Sequence, residues 1–142
     1  MKKLLIFFMT LSCLTAFAKG KKPVPYEKVP QVVQTEFQKN FTPDQVQYVT
    51  FEKVLGQKLY TFVLAEGTKI KYNHKAVLRK VENKDGILTT LVPEKIMTYA
   101  KATFPKATIT EYVCDKSRKE IELNNNIELI FNKRGKFLRI ED

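Results

Sequence analysis

The side chains able to do chemistry in this chain are mostly carboxylates set among strand-forming residues. Arg118, Glu120 and Glu122 alternate with Lys119, Ile121 and Leu123, and beyond Asn124-Asn125-Asn126 the residues Glu128 and Ile130 alternate with Leu129 and Phe131. Residues i and i+2 of a strand share a face. A hairpin turning at Asn125 therefore sets Glu122 beside Glu128 and Glu120 beside Ile130, on the face opposite Ile121 and Leu129. Carboxylates directly across an antiparallel pair repel. Solvent with Arg118 as neutraliser, the surface of a partner protein, or a cation such as calcium would relieve them.

Catalytic chemistry is harder to assemble. His74 is the single histidine and falls in a polar turn. A general base needs a nucleophile and an orienting acid beside it, and no serine motif supplies them. Zinc wants three or four Cys, His or carboxylate ligands, and the sequence has neither a Gly-rich phosphate loop nor a His-Glu-x-x-His pattern. No catalytic residue, metal ligand or cofactor is expected, and an enzyme is not the expected class.

The chain has 142 residues and a formal net charge of +10. Lys2-Lys3, the apolar run 4–14 and Ala16-Phe17-Ala18 read as the charged start, core and small-residue cleavage site of an export signal. The run is too short for an ordinary transmembrane helix across a hydrocarbon core of ~30 Å, so no membrane span is expected after the signal is removed. Cleavage after Ala18 removes Cys13 and two lysines. Cys114 is then the single cysteine and has no internal disulfide partner; its apolar, alternating surroundings predict a buried thiol. The basic excess is moderate and scattered, with Lys69, Lys71, Lys75, Arg79 and Lys80 in the first half. Nucleic-acid binding wants a basic stripe interleaved with exposed aromatics, whereas Phe37, Phe62, Tyr72, Phe104 and Phe131 fall at core positions. Nucleic acid is not an expected partner.

The elements that must position these residues are written twice. Val29-Pro30, Phe37, Phe41, Val46 and Glu52-Lys53 recur as Val92-Pro93, Ala100, Phe104, Ile109 and Asp115-Lys116, and Phe62, Leu64, Ile70, Tyr72-Asn73 and Val81-Glu82 recur as Ile121, Leu123, Leu129, Phe131-Asn132 and Ile140-Glu141. Proline suits the first helical position, and Val33, Phe37 and Phe41 form one apolar stripe up to about Asn40, ahead of Pro43. Alternation predicts strands at 46–53, 59–65, 68–72 and 77–82. The second half predicts a helix through Ile96, Ala100 and Phe104, then strands at 109–115, 118–123, 127–132 and 136–141. The expected fold is α+β: two tandem α-β-β-β-β units forming an antiparallel sheet with helices packed on one face. The expected divisions are 1–18 signal, 19–28 flexible leader, 29–86 first unit and 87–142 second unit. Each unit alone is of a size that buries only about 60% of its surface, so the two should form one cooperative domain.

The run Tyr60-Thr61-Phe62-Val63-Leu64-Ala65-Glu66-Gly67-Thr68-Lys69-Ile70-Lys71-Tyr72-Asn73, followed by Leu78-Arg79-Lys80-Val81-Glu82, resembles the repeat of exported PepSY-like, β-lactamase-inhibitor-like proteins, as does the Val-Pro-x-x-(Val/Ile) helix start. The resemblance covers about residues 28–142 in two copies. Ala76 stands where the family usually has glycine, while Gly135 keeps it. The resemblance implies a sheet backed by helices and a non-enzymatic binding role, with inhibition of a partner enzyme as its family-level suggestion.

With helices on the Phe62 and Ile121 face, Thr61, Val63, Lys69 and Lys71 point the other way, as do Arg118, Glu120, Glu122, Glu128 and Ile130. This open face is the expected docking surface for another exported protein, basic on one unit and acidic on the other, with Val63 and Ile130 as apolar patches between the charges. The alternative is a binder of an anionic small ligand or envelope polymer through the lysine-rich first unit.

Overall fold

The computed structural model describes residues 20–142. The export signal and cleavage site read at residues 1–18 lie outside the described residues. Strand Lys22–Val24 (β1) leads through a 3-10 turn at Tyr26–Lys28 to a helix at Gln31–Phe37 (α1), followed by Val46–Val54 (β2), Gln57–Leu64 (β3), Lys69–Asn73 (β4) and Leu78–Glu82 (β5). A second helix at Glu94–Thr103 (α2) precedes Ile109–Cys114 (β6), Arg118–Leu123 (β7), Glu128–Asn132 (β8) and Phe137–Glu141 (β9). The nine strands form one sheet in chain order, with every neighbouring pair antiparallel. The architecture is α+β, a nine-stranded antiparallel sheet carrying two helices.

Period-2 alternation explains the layering. Val24, Val49, Phe62, Ile70, Val81, Tyr112, Ile121, Leu129 and Ile140 are successive register partners and make one row across all nine strands. All of the interior members of this row are buried in one cluster with Val33 and Phe37 of α1 and Ile96 and Ala100 of α2. Both helices therefore cover the same face. Phe37 stacks on Phe62 with ring centroids 4.4 Å apart, and Tyr72 meets the edge of Phe62 at 5.9 Å. In the second half Ala100 has no ring to offer. Tyr99 supplies it instead, stacking on Phe137 at 4.4 Å and meeting Phe131 edge-on.

The β4–β5 and β8–β9 turns are built alike. The Asn73 Oδ1 accepts the N–H groups of Lys75 and Val77, and the Asn132 Oδ1 accepts those of Arg134 and Lys136, each at 2.9 Å. Register irregularities also recur at the spacings of the sequence repeat, at Val46/Tyr48 and Ile109/Glu111, and at Lys71/Tyr72 and Ile130/Phe131.

Over its described part, the reading of residues 19–28 as a flexible leader is corrected. Lys22, Pro23 and Val24 pair with Phe51, Thr50 and Val49. The Tyr26 ring lies 6.2 Å from Phe37 and 6.0 Å from Phe62. From α1, Gln34 Nε2 donates to the carbonyls of Val29 (2.8 Å) and Tyr26 (3.2 Å), and Gln38 Nε2 donates to the Tyr26 hydroxyl (2.8 Å). Two apolar anchors, Val24 and Tyr26, and two side-chain hydrogen bonds to Tyr26 thus hold a segment whose lysines and prolines suggest a tether.

Ala76 occupies the left-handed region at φ 66°, and its counterpart Gly135 has φ 85°. An L-residue there costs about 1–2 kcal/mol, partly offset by the greater freedom of glycine in the unfolded chain. A Cβ on Gly135 would meet Lys95 no closer than 3.5 Å, so backbone conformation, not crowding, sets the effect. Ala76→Gly should therefore stabilise by about 0.5–1 kcal/mol and Gly135→Ala should destabilise by about 1 kcal/mol. Denaturant unfolding of the two variants checks the opposite signs; a destabilised Ala76→Gly would show that the turn is not strained.

Candidate functional site

The face away from the helices is organised in cross-strand rows. One row runs Tyr48, Val63, Lys69, Glu82, Glu111, Glu122, Glu128, Glu141. Its last five members are glutamates on five successive strands, β5 to β9, about 4.8 Å apart in the hydrogen-bonding direction. The next row runs Thr50, Thr61, Lys71, Lys80, Val113, Glu120, Ile130, Arg139.

Ion pairs neutralise these rows unevenly. Lys71 Nζ lies 3.1 Å from Glu52, Arg118 Nη2 2.6 Å from Glu120, and Arg139 Nε 2.9 Å from Glu141. Lys80 sits between Glu82 (3.5 Å) and Glu111 (3.7 Å). Glu122 and Glu128 face each other as expected, yet Arg118 turns to Glu120 and, among the described residues, no cation reaches either of them. Arg118 is therefore not the neutraliser of that pair. Burial pushes the Glu111 carboxyl above the ordinary range; Lys80 pulls it back, while Glu82, Glu122 and Glu128 add to the rise. Beside this carboxyl a shallow pocket of about 320 Å³ opens between Lys69, Glu82, Asn83, Lys84, Glu111 and Glu122.

The expected site residues all lie on this face, but not all are exposed. Lys69 is exposed, whereas Lys71, Glu120, Glu122 and Glu128 are half-buried. Thr61, Val63 and Ile130 are buried, Ile130 completely. The expectation that Val63 and Ile130 form apolar patches is thus corrected: Ile130 is flanked in register by the longer Glu120 and Arg139, and Val63 by Tyr48 and Lys69. The Thr61 hydroxyl is buried and has no hydrogen-bond partner among the described residues. Sequence reasoning missed Glu82, Glu111 and Glu141. The recurrence of Val81-Glu82 as Ile140-Glu141 carried a signal for two of them; Glu111 needed the β5–β6 register.

The remaining reactive groups stand apart. His74 is exposed in the β4–β5 turn, and its backbone N–H donates to the Lys58 carbonyl at 3.1 Å. Cys114 is half-buried, not buried as expected, at the margin of the helix-side core. Among the described residues, no three His, Cys, Asp or Glu side chains form a group able to hold a metal ion, and no helix is long and apolar enough to cross a membrane.

The chain belongs to the family described as "Putative beta-lactamase-inhibitor-like, PepSY-like", which it matches over residues 16–80 and again over 58–139. The double match agrees with the tandem repeat in the sequence, and the second match takes in strands ahead of α2. Solved structures share the fold, among them the following three. A "putative calcium-regulated periplasmic protein" from Bacteroides thetaiotaomicron is 25% identical, with TM-score 0.77, covering 86% of this chain and 97% of that one. A "putative periplasmic protein from DUF2874 family" from Bacteroides vulgatus is 26% identical, with TM-score 0.78, covering 89% and 100%. A second periplasmic protein from Bacteroides vulgatus is 25% identical, with TM-score 0.78, covering 87% and 100%. No curated protein matches the chain.

A carboxyl raised above its unfolded value binds its proton more readily in the folded chain, so stability falls as pH rises through the window above the ordinary glutamate range. Glu111→Gln removes the charge. It should raise the thermal midpoint by about 1–3 °C at pH 7 and give a smaller gain at pH 4, because the raised carboxyl carries less charge as the pH falls. Melting curves at the two pH values check this; a lower midpoint at pH 7 would show that the Lys80 attraction prevails.

Proposed function

We propose that this chain is an exported, non-catalytic binding module of two tandem helix–four-strand units folded as one domain. It docks another cell-envelope protein on the open face of its sheet and restrains that partner by occupying its surface. The observation that carries the reading is the row of five glutamates across β5 to β9, in which Glu122 and Glu128 face each other with no cation reaching them among the described residues. Like charges held directly opposite cost stability, and a basic element on a partner would relieve that cost on docking. Family membership supports a binding role, and the periplasmic descriptions of the similar structures support export. The family's description, with its likeness to a β-lactamase inhibitor, supports enzyme inhibition as the form of restraint, and a peptidase or other envelope enzyme is the target in this reading.

Binding of an anionic ligand through the first half has weaker support. Lys71 and Lys80 are engaged by Glu52, Glu82 and Glu111, which leaves Lys69 as the lysine of the face without an ion pair among the described residues. The word "calcium-regulated" in the description of one similar structure makes calcium worth adding as an arm of the test.

The test uses the exported chain as bait in an envelope extract, with and without calcium, followed by association kinetics on the captured protein. Glu122→Lys with Glu128→Lys should slow association about tenfold at low salt, with loss of the salt dependence. Thr35→Glu on the exposed side of α1 is the control. Gln34 and Gln38 do not serve as controls, because they hold the Tyr26 segment in place. Equal loss from both sets would remove the open face as the interface, and faster binding by the reversed face would assign the site to an acidic ligand.

A further inference from the structure

The two sheet edges are finished differently. β1 has three residues, and Pro23 within it and Pro25 just beyond lack the N–H donors that an added strand would use. β9 has five residues and no proline, and among the described residues no strand pairs with its outer edge. Leu138 and Ile140 are 50% and 49% exposed there.

The repeat shows what such an edge receives. In the sequence repeat β9 is the counterpart of β5, with Ile140 matching Val81 and Glu141 matching Glu82. The outer edge of β5 receives β6 in antiparallel pairing, Val81 against Tyr112, and Val81 is fully buried as a result. Ile140 occupies the same row on the helix side, beside the buried Leu129, and half of it faces solvent. Across the β5–β6 seam Lys80 also reaches Glu111, while among the described residues Arg139 pairs only with Glu141 of its own strand.

We propose that the outer edge of β9 pairs with β9 of a second copy of this chain, antiparallel about a two-fold axis through Ile140. Facing residues must share a side of the sheet, so one residue of β9 sits opposite itself on the axis; a Glu141-centred register sets two carboxylates against each other, and a Leu138-centred one falls on the register irregularity of β9. The Arg139-centred register sets two guanidinium groups against each other. The Ile140-centred register places Arg139 against Glu141 of the second copy twice, and Ile140 against Ile140 on the helix side. Among these registers the Ile140-centred one makes the edge self-complementary both in charge and in apolar surface. It extends both sheets into one and carries the glutamate row of each copy on to the Arg139 row of the other. One strand pair buries little area, so the dimer is weak and concentration-dependent.

Sedimentation equilibrium of the exported chain over a range of high micromolar concentrations tests the pairing, with thermal melts confirming that each variant is folded. The native chain should self-associate reversibly. Arg139→Glu alone and Glu141→Arg alone place like charges opposite each other at both contacts, and each should weaken association by about tenfold. An equimolar mixture of the two single variants restores opposite charges at both contacts and should dimerise about as well as the native chain. That rescue cannot come from the ion pair within one strand. A chain that stays monomeric at every concentration would overturn the proposal and leave the edge to a foreign strand. Dimerisation insensitive to either single variant, or a mixture that stays monomeric, would overturn the two-fold register.

Discussion

The pairing of β5 with β6 is the contact on which the rest of the molecule depends. It consists of three residue pairs, Lys80–Val113, Val81–Tyr112 and Glu82–Glu111. On the helix side Val81 and Tyr112 join the core beneath α1 to the core beneath α2, and both are buried. On the other side the same pairing aligns Glu82 with Glu111 and so extends the four-glutamate row of the second half by one member from the first. A stretch of about sixty residues buries only about 60% of its surface alone. The seam lets both halves complete one core.

The two faces divide the physical work. Apolar side chains on the helix side supply the burial that stabilises the fold, with ring stacks at Phe37–Phe62 and Tyr99–Phe137 fixing each helix on its strands. The open side is polar, and its charges are not arranged for greatest stability. Lys80 serves two carboxylates at once, Glu111 is held above the ordinary carboxylate range, and Glu122 and Glu128 stand opposite each other. Natural sequences break local rules of this kind mainly where function requires it. In the proposed docking, such a charge pattern would act on partner selection and association rate more than on affinity.

Alternation made the strands and the choice of covered face legible, because Phe62, Ile70, Ile121 and Leu129 each stand two residues from another apolar position. The same pattern could not show burial on the open side. Among the described residues no helix lies above Val63 and Ile130, and they are still buried, since their exposure depends on the lengths of the register neighbours Tyr48, Lys69, Glu120 and Arg139. The segment before α1 was missed for another reason. A three-residue strand has no measurable period, and Lys-Pro composition looks like a tether until Val24 and Tyr26 are seen against Val49 and Phe62. Glu111 was invisible as a site residue because its neighbours come from two different halves of the chain. The family resemblance read from residues 60–82 holds, and the partner that the family's description suggests was never written in those residues.

The seam can be measured directly by native-state amide hydrogen exchange at residues 80–82 and 111–113. If the β5–β6 pairing joins two halves into one cooperative domain, the protected amides of the seam should exchange only by global unfolding. Their opening free energies should equal those of the Phe62 and Leu129 amides and shift with them in mild denaturant. Seam amides that open at a distinctly lower free energy, while the two halves stay protected at different levels, would contradict the shared core.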